Sequence, residues 1–202
     1  MLTAVDDAFV FVPHVCPVNK TGQCLLDSVA GLLTANTPAE VVPPGEYTGP
    51  RHICVGLGGD VAYIVNEQSN TVTAHRFDRV QGTLTAFQDV STLPANYTEG
   101  CNTTHVELHP NGPWLYASNR GHDSIRGFAI SRDGSLLPFG YFPVPASPRS
   151  FIIDLSGNFL YCAAEAADRM TAYRVDAADG ALQPLADYQV GKSPFWVMAT
   201  HI

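Results

Sequence analysis

The heptapeptide DRVQGTL, residues 78–84, is a glycine-containing turn set between two apolar runs, and its reading decides the fold because it is not alone. DSVAGLL (27–33), SRDGSL (131–136) and DAADGAL (176–182) repeat its chemistry. Upstream of each lies a short run rich in aromatic and β-branched residues: FVFVP (9–13), VAYIVN (61–66), WLYASN (114–119) and FLYCAA (159–164). From the second copy onward that run follows another turn, GLGGD (56–60), HPNGP (109–113) or DLSGN (154–158). Tyr63, Tyr116 and Tyr161 fall in register at shifts of 53 and 45 residues. Short strands bounded by Gly, Asn and Asp, with no segment of helical period, define an all-β chain. A period of this length built only of strands and turns is that of stacked four-stranded antiparallel sheets, the blades of a β-propeller. About four blades are expected in one segment covering 1–202, with repeats near 1–48, 49–100, 101–146 and 147–190 and a closing strand in 191–202. A β-sandwich is the competing architecture, but its strands have no reason to repeat their turns four times.

Composition narrows the partners. The chain has 202 residues, 46% of them hydrophobic, enough to bury a core of its own. A formal charge of -8 argues against nucleic acid or an anionic membrane as the main partner, so any bound anion must meet a local cluster of cations. No apolar run is long enough to span a bilayer, and Asp6 and Asp7 interrupt the opening MLTAVDDAFVFVP where a signal peptide would be basic and then apolar. The expected compartment is the cytoplasm. Cys16, Cys24, Cys54, Cys101 and Cys162 are odd in number and scattered, a pattern of neither a disulfide framework nor a zinc site. No metal or cofactor is expected. The sequons at Asn19, Asn96 and Asn102 are read as chance.

The repeat also sorts the polar residues. In an antiparallel blade the start of the innermost strand lies beside the end of the second. Innermost strands are read at PRHICV (50–55), THVEL (104–108), PRSFII (148–153) and PFWVM (194–198). Arg51 then aligns with Thr104, Arg149 and Phe195, and His52 with His105, Ser150 and Trp196. Second strands are read as ending at His14, Glu67, Arg120 and Glu165. Both sets are expected at one mouth of the propeller channel. The plainer reading is a solvated rim, with Arg120 paired to Glu67 or Glu165 across blades.

The stretches GPRHI (49–53), YIVNEQSNTV (63–72), TLTAFQDVSTLP (83–94), HPNGPWLYASNRGHDSI (109–125), SPRSFIIDLSGNFLY (147–161) and SPFWV (193–197) resemble the lactonase family of seven-bladed propellers, which includes 6-phosphogluconolactonases and is related to carboxymuconate cyclases. That resemblance implies opening of a sugar lactone by water, 6-phosphogluconolactone first among the substrates, or cyclase chemistry on a carboxymuconate-type acid. It implies Arg51, Glu67 and Arg120 as site residues. Guanidiniums suit an anionic lactone and the oxyanion that attack on its carbonyl creates. Glu67, His52 and His105 are the candidates for activating water. His105, His122, Arg149, Asn119 and His14 are expected to bind substrate. No Gly-x-Ser-x-Gly elbow supports a serine triad.

The match is to the C-terminal part of the family pattern. Four repeats stand where the family has seven, the family's proposed histidine has no counterpart here, and His105 occupies a place commonly acidic. A non-catalytic scaffold or binding module is therefore the rival from another class. The register also lets SPFWVMATHI (193–202) supply the first repeat's missing inner strand, in cis or in a homodimer that completes the propeller. Trp114 is expected in the core, Trp196 as a channel plug or ligand platform, and His109 in a solvated turn. Asp123 and Ser124 are expected to hold the Arg120 loop by turn hydrogen bonds. Cys54 and Cys162 are expected as small buried hydrophobes.

Overall fold

A computed structural model describes the backbone of residues 2–4 and the whole of residues 8–200. Among these, sixteen strands form four antiparallel sheets of four, each a simple meander. The first sheet holds β1 (Leu2–Ala4), β2 (Phe9–His14), β3 (Lys20–Asp27) and β4 (Leu32–Val41). The second holds β5 (Pro50–Val55), β6 (Val61–Asn66), β7 (Thr71–Asp78) and β8 (Thr83–Ser91). The third holds β9 (Asn102–Leu108), β10 (Trp114–Arg120), β11 (Ser124–Ile130) and β12 (Leu136–Pro143). The fourth holds β13 (Pro148–Ile153), β14 (Phe159–Ala164), β15 (Arg169–Val175) and β16 (Leu182–Gln189). The only helical element among the described residues is a single 3-10 turn, Glu165–Ala167. Two compact units divide the chain, Met1–Ser91 with the first two sheets and Thr92–Ile202 with the last two.

The turns explain why the meander repeats. Asp27 and Asp78 each accept backbone N–H bonds from the residues two and three positions on, Asp176 accepts from Ala178 N, and Gly31, Gly82 and Gly180 close the turns with bonds back to the same Asp carbonyls. Gly82 is forced twice over: its φ is +67°, and a Cβ there would meet the Phe9 ring at 2.1 Å.

Second strands are buried on both faces, β6 along its whole length, while β4 and β16 are mostly exposed. In the first unit Phe9 and Phe11 meet the edge of Phe77 at ring distances of 6.1 and 5.4 Å, over Ala62, Ile64 and Leu84. Gln23, fully buried, stitches the two sheets by accepting from Leu84 N and donating to Pro38 O. In the second unit Trp114, Tyr116, Phe151, Leu160 and Tyr173 form the core. Their polar tips are met: Tyr116 donates to Gly180 O at 2.7 Å and Tyr173 to Pro143 O at 3.1 Å. Burial pushes both phenols well above their ordinary range, and the Cys162 thiol up to about 12.

Several expectations are corrected. The first sheet takes its inner strand from β1, where Leu2 faces Phe11, so the supposed need for a strand supplied by 193–202 disappears, and with it the register argument for a homodimer. Residues 191–200 belong to no strand; His201 and Ile202 lie outside the described residues. His109 is buried, its Nε2 on Gly157 O at 2.8 Å and its ring edge-on to Trp114, because the HPNG turn folds back onto the fourth sheet. Cys54 is half-buried, whereas Cys162 is fully enclosed.

His75, on β7, was not singled out by the sequence. Burial lowers its pKa from about 6.5 to about 4, partly offset by the bond to Thr73 O. The native state therefore holds it neutral where the unfolded chain protonates it, so its contribution is full above pH 6.5 and is lost as the pH falls through 4. Urea unfolding at stepped pH should show a fall of about 3 kcal/mol between those limits that is missing in His75→Gln. Parallel profiles for the two proteins would contradict this.

Candidate functional site

Three of the inner strands carry the same irregularity near their start. In β5 Pro50 faces Asn66 and His52 faces Val65, so Arg51 is the extra residue of a β-bulge. In β13 Pro148 faces Ala164 and Ser150 faces Ala163, leaving Arg149 in the same place; in β9 the bulged residue is Thr104. A bulge re-aims its side chain, which is how a strand otherwise committed to the core presents a guanidinium at its end. The alignment of Arg51, Thr104 and Arg149 read from the sequence is thus a structural equivalence.

The backbone ahead of two of these bulges is held by a clasp. Asn19, at φ 54°, accepts from Thr48 N at 3.2 Å and Gly49 N at 2.8 Å. Asp123, at φ 51°, accepts from Gly121 N at 3.2 Å and Ser147 N at 2.9 Å. Asp168, also at φ 51°, accepts from Ser193 N at 2.8 Å. Gly49 and Ser147 return a carbonyl to Glu67 N and Glu165 N, at 2.7 and 2.9 Å. One backbone bond therefore fixes the bulged arginine against the carboxylate at the end of the second strand.

In the first unit Arg51 Nε lies 3.1 Å from Glu67 Oε2, both side chains less than one-fifth exposed. Arg51 Nη1 lies 3.3 and 3.1 Å from the two ring nitrogens of His52, a contact with the ring rather than a bond aligned on one lone pair. Arg51 thereby contacts both a carboxylate and an imidazole.

The second unit repeats the pair and then departs from it. Arg149 Nη1 donates to Glu165 Oε2 at 3.1 Å, matching Arg51 with Glu67. In the third sheet, however, the position of Glu67 and Glu165 is taken by Arg120, whose Nη1 reaches the same Glu165 oxygen at 3.7 Å. Two guanidiniums share one carboxylate, each group a quarter to a third exposed. Thr104 completes the corner from within: its hydroxyl bonds Pro148 O at 2.7 Å, just before Arg149.

The remaining candidates have separate surroundings. His122 Nδ1 lies 2.6 Å from Ser124 Oγ, with the rings of Tyr97 and Tyr141 at 4.8 and 5.5 Å. His105 is buried against Phe151 and the edge of Trp196, with its Nε2 3.5 Å from Glu107 Oε1. Trp196 itself is 59% exposed. Asn119 is fully buried, donating to Thr92 O and Ser124 Oγ and accepting from Thr103 Oγ1, so its amide holds strands together. His14 is one residue out of the expected register and is exposed. It faces Lys20 as Asn66 faces Thr71, Asn119 faces Ser124 and Ala164 faces Arg169, so it is Val15 that corresponds to Glu67, Arg120 and Glu165. The loop after β2 is one residue longer than its counterparts, which hid the slip. Glu107 was missed, although its spacing of two from His105 on a strand puts both on one face. Among the described residues no cluster of three or more His, Cys, Asp or Glu has metal-holding geometry, and no helix is long and apolar enough to cross a membrane.

Repeated four-stranded meanders with arginine–glutamate pairs at equivalent blade corners define a β-propeller protein with an ionic site. Residues 24–199 match the family described as lactonase, 7-bladed beta-propeller, and the chain belongs to that family. It is 37% identical over 169 residues to a 6-phosphogluconolactonase of Sodalis glossinidius, covering 83% of this chain and 51% of that one. A 6-phosphogluconolactonase of Serratia proteamaculans is 33% identical over 199 residues, covering 92% and 60%. The periplasmic gluconolactonase of Pseudomonas aeruginosa superposes with a TM-score of 0.86 at 26% identity, over 95% of this chain and 53% of that one. The chain thus spans roughly half the length of these relatives.

The clasp predicts a graded result at Asp123. Asp123→Asn should be tolerated, since Asn19 does the same work in the first sheet. Asp123→Ala removes both N–H bonds and leaves a β-carbon residue in a left-handed backbone, and should lower the urea unfolding free energy by about 1–3 kcal/mol. Equal stability of the two variants would rule the clasp out as a stabilising element.

Proposed function

We propose that this chain hydrolyses a sugar lactone, with 6-phosphogluconolactone the leading substrate. The observation that carries the reading is the arginine–glutamate corner, present as Arg51 with Glu67 and as Arg149 with Glu165, and altered to a second arginine at Arg120. Relatives named 6-phosphogluconolactonase support the substrate class.

Lactone hydrolysis needs a base for water, positive charge for the carbonyl oxygen as it becomes an oxyanion, and a hold on the substrate's own anion. Glu67 or His52 takes the proton from water as its oxygen adds to the carbonyl carbon. The ring carbon–oxygen bond then breaks, and the leaving alkoxide takes up a proton. Arg51, bonded in place by Glu67, is a fixed donor for developing negative charge. Arg120 and Arg149, brought together at Glu165, suit a phosphate or carboxylate through paired N–H donors. His105 and His122 remain proposed substrate-binding groups, the former beside Glu107 and the latter between two tyrosines. The cytoplasm is the proposed compartment. A non-catalytic binding module is the second reading, favoured by the ion pairing that engages Arg51, Arg120 and Arg149.

The deciding assay is hydrolysis of fresh 6-phosphogluconolactone by the purified chain, with the spontaneous rate subtracted. Catalysis is expected, with Arg120→Ala and Glu67→Gln each lowering kcat/KM by about a hundredfold or more, the scale of losing a transition-state partner. Unphosphorylated gluconolactone should be a poorer substrate, and Arg120→Ala should narrow that difference. A folded chain with no rate above the blank would favour the binding module.

A further inference from the structure

The corner that carries Arg51 and Glu67 contains an unmet hydrogen bond with an internal comparison. Asn66 and Asn119 occupy equivalent ends of β6 and β10, opposite Pro50 and Thr103 respectively. In the third sheet Thr103 Oγ1 donates to Asn119 Oδ1 at 3.1 Å and satisfies it. Proline has no such donor. Asn66 Oδ1, 1% exposed as a residue, accordingly meets no donor of the protein among the described residues.

The orientation of that amide is settled by its other side. Thr73 gives its hydroxyl hydrogen to Asp89 Oδ1 at 2.7 Å, so toward Asn66, 2.7 Å away, it can only accept. Asn66 Nδ2 must face Thr73 and Thr71, which turns Oδ1 the other way.

A second unmet group lines the same space. Thr21 stands on β3 where the other sheets carry Val72, Ile125 and Met170, as the ladders show. Its hydroxyl replaces a hydrocarbon, is also 1% exposed, and likewise has no partner in the protein. Thr21 and Asn66 both border a cavity of about 10 Å³ between the first and second sheets, lined also by Val41, Pro43, Pro50, Ile64, Thr73 and His75. That is about the space one water needs, and two buried polar atoms without partners are what retains it.

We propose that one buried water is built into this corner, donating to Asn66 Oδ1 and bonded to Thr21 Oγ1, in place of the hydroxyl that Thr103 gives Asn119. It lies behind the two residues, Pro50 and Asn66, that immediately precede Arg51 and Glu67. The site stands independently of the proposed activity.

Crystal structures of the whole chain, wild type and Pro50→Thr, test this. The wild-type map should show one isolated density peak within about 3 Å of both Asn66 Oδ1 and Thr21 Oγ1. In Pro50→Thr the new hydroxyl should take the bond to Asn66, as in the third sheet, and the peak should vanish. Thr21→Val, which restores the residue found in β7, provides a second route to a site without the peak should the proline variant not fold. No peak in a wild-type map where both side chains are ordered, or a peak that persists unmoved in either variant, would overturn the proposal.

Discussion

The rest of the structure depends on one small hydrogen bond, from the N–H of the residue before a proline to the side-chain oxygen of an Asn or Asp held in the left-handed region. It occurs at Asn19 with Gly49, Asp123 with Ser147 and Asp168 with Ser193. The backbone conformation at those acceptors is unfavourable for most residues, and Asn and Asp tolerate it best. The bond ties the turn after a second strand to the entry of the next repeat's inner strand. Proline follows at once, and in the second and fourth sheets a bulge then throws an arginine out of the ladder. Displacing the clasp would shift the arginine and the glutamate together, because the residue it holds also bonds the glutamate's own N–H.

The fold was legible because its signals are local and repeated. Asp and Gly in the outer turns, and aromatic runs in the second strands, report their own backbone requirements, so DRVQGTL and its three relatives located the sheets without reference to anything distant. The Arg51, Thr104 and Arg149 alignment held for the same reason. His14 did not, since a loop longer by one residue leaves the side-chain type unchanged while reversing the face it occupies. His109 failed differently. Its HPNG context reads as a turn, and only the packing of that turn on Gly157 reveals a buried ring. SPFWV has the entry signature of an inner strand, and Ser193 does make the clasp. A strand, however, exists by virtue of its ladder partner, which sequence at one position does not supply.

The candidate site was legible in its charges and obscure in its pairings. Arg51, Glu67 and Arg120 could be named, yet nothing in one dimension says that Glu165 serves two arginines, or that Asn119 is consumed by Thr92, Thr103 and Ser124. Those facts depend on contacts between neighbouring sheets within one unit. They change the chemistry assigned: Asn119 becomes a strut, and Glu165 gathers Arg120 and Arg149 at one corner.

Repetition also explains why such a corner can diverge. The equivalent ends of the four second strands carry His14, Asn66, Asn119 and Ala164, and each demands something different of the residue opposite. Ala164 asks for no donor, so Pro148 costs nothing there. Asn119 asks for one and has Thr103. Asn66 asks for one and faces Pro50, so the entry that best presents Arg51 is the one least able to satisfy its neighbour. A proline entry and a buried asparagine are compatible only if a third party supplies the hydrogen bond, because a polar atom sealed from solvent cannot be left without one cheaply. The propeller corner therefore trades a direct hydroxyl for a fixed backbone, and the place where that trade was made is also the place where its arginine and glutamate meet.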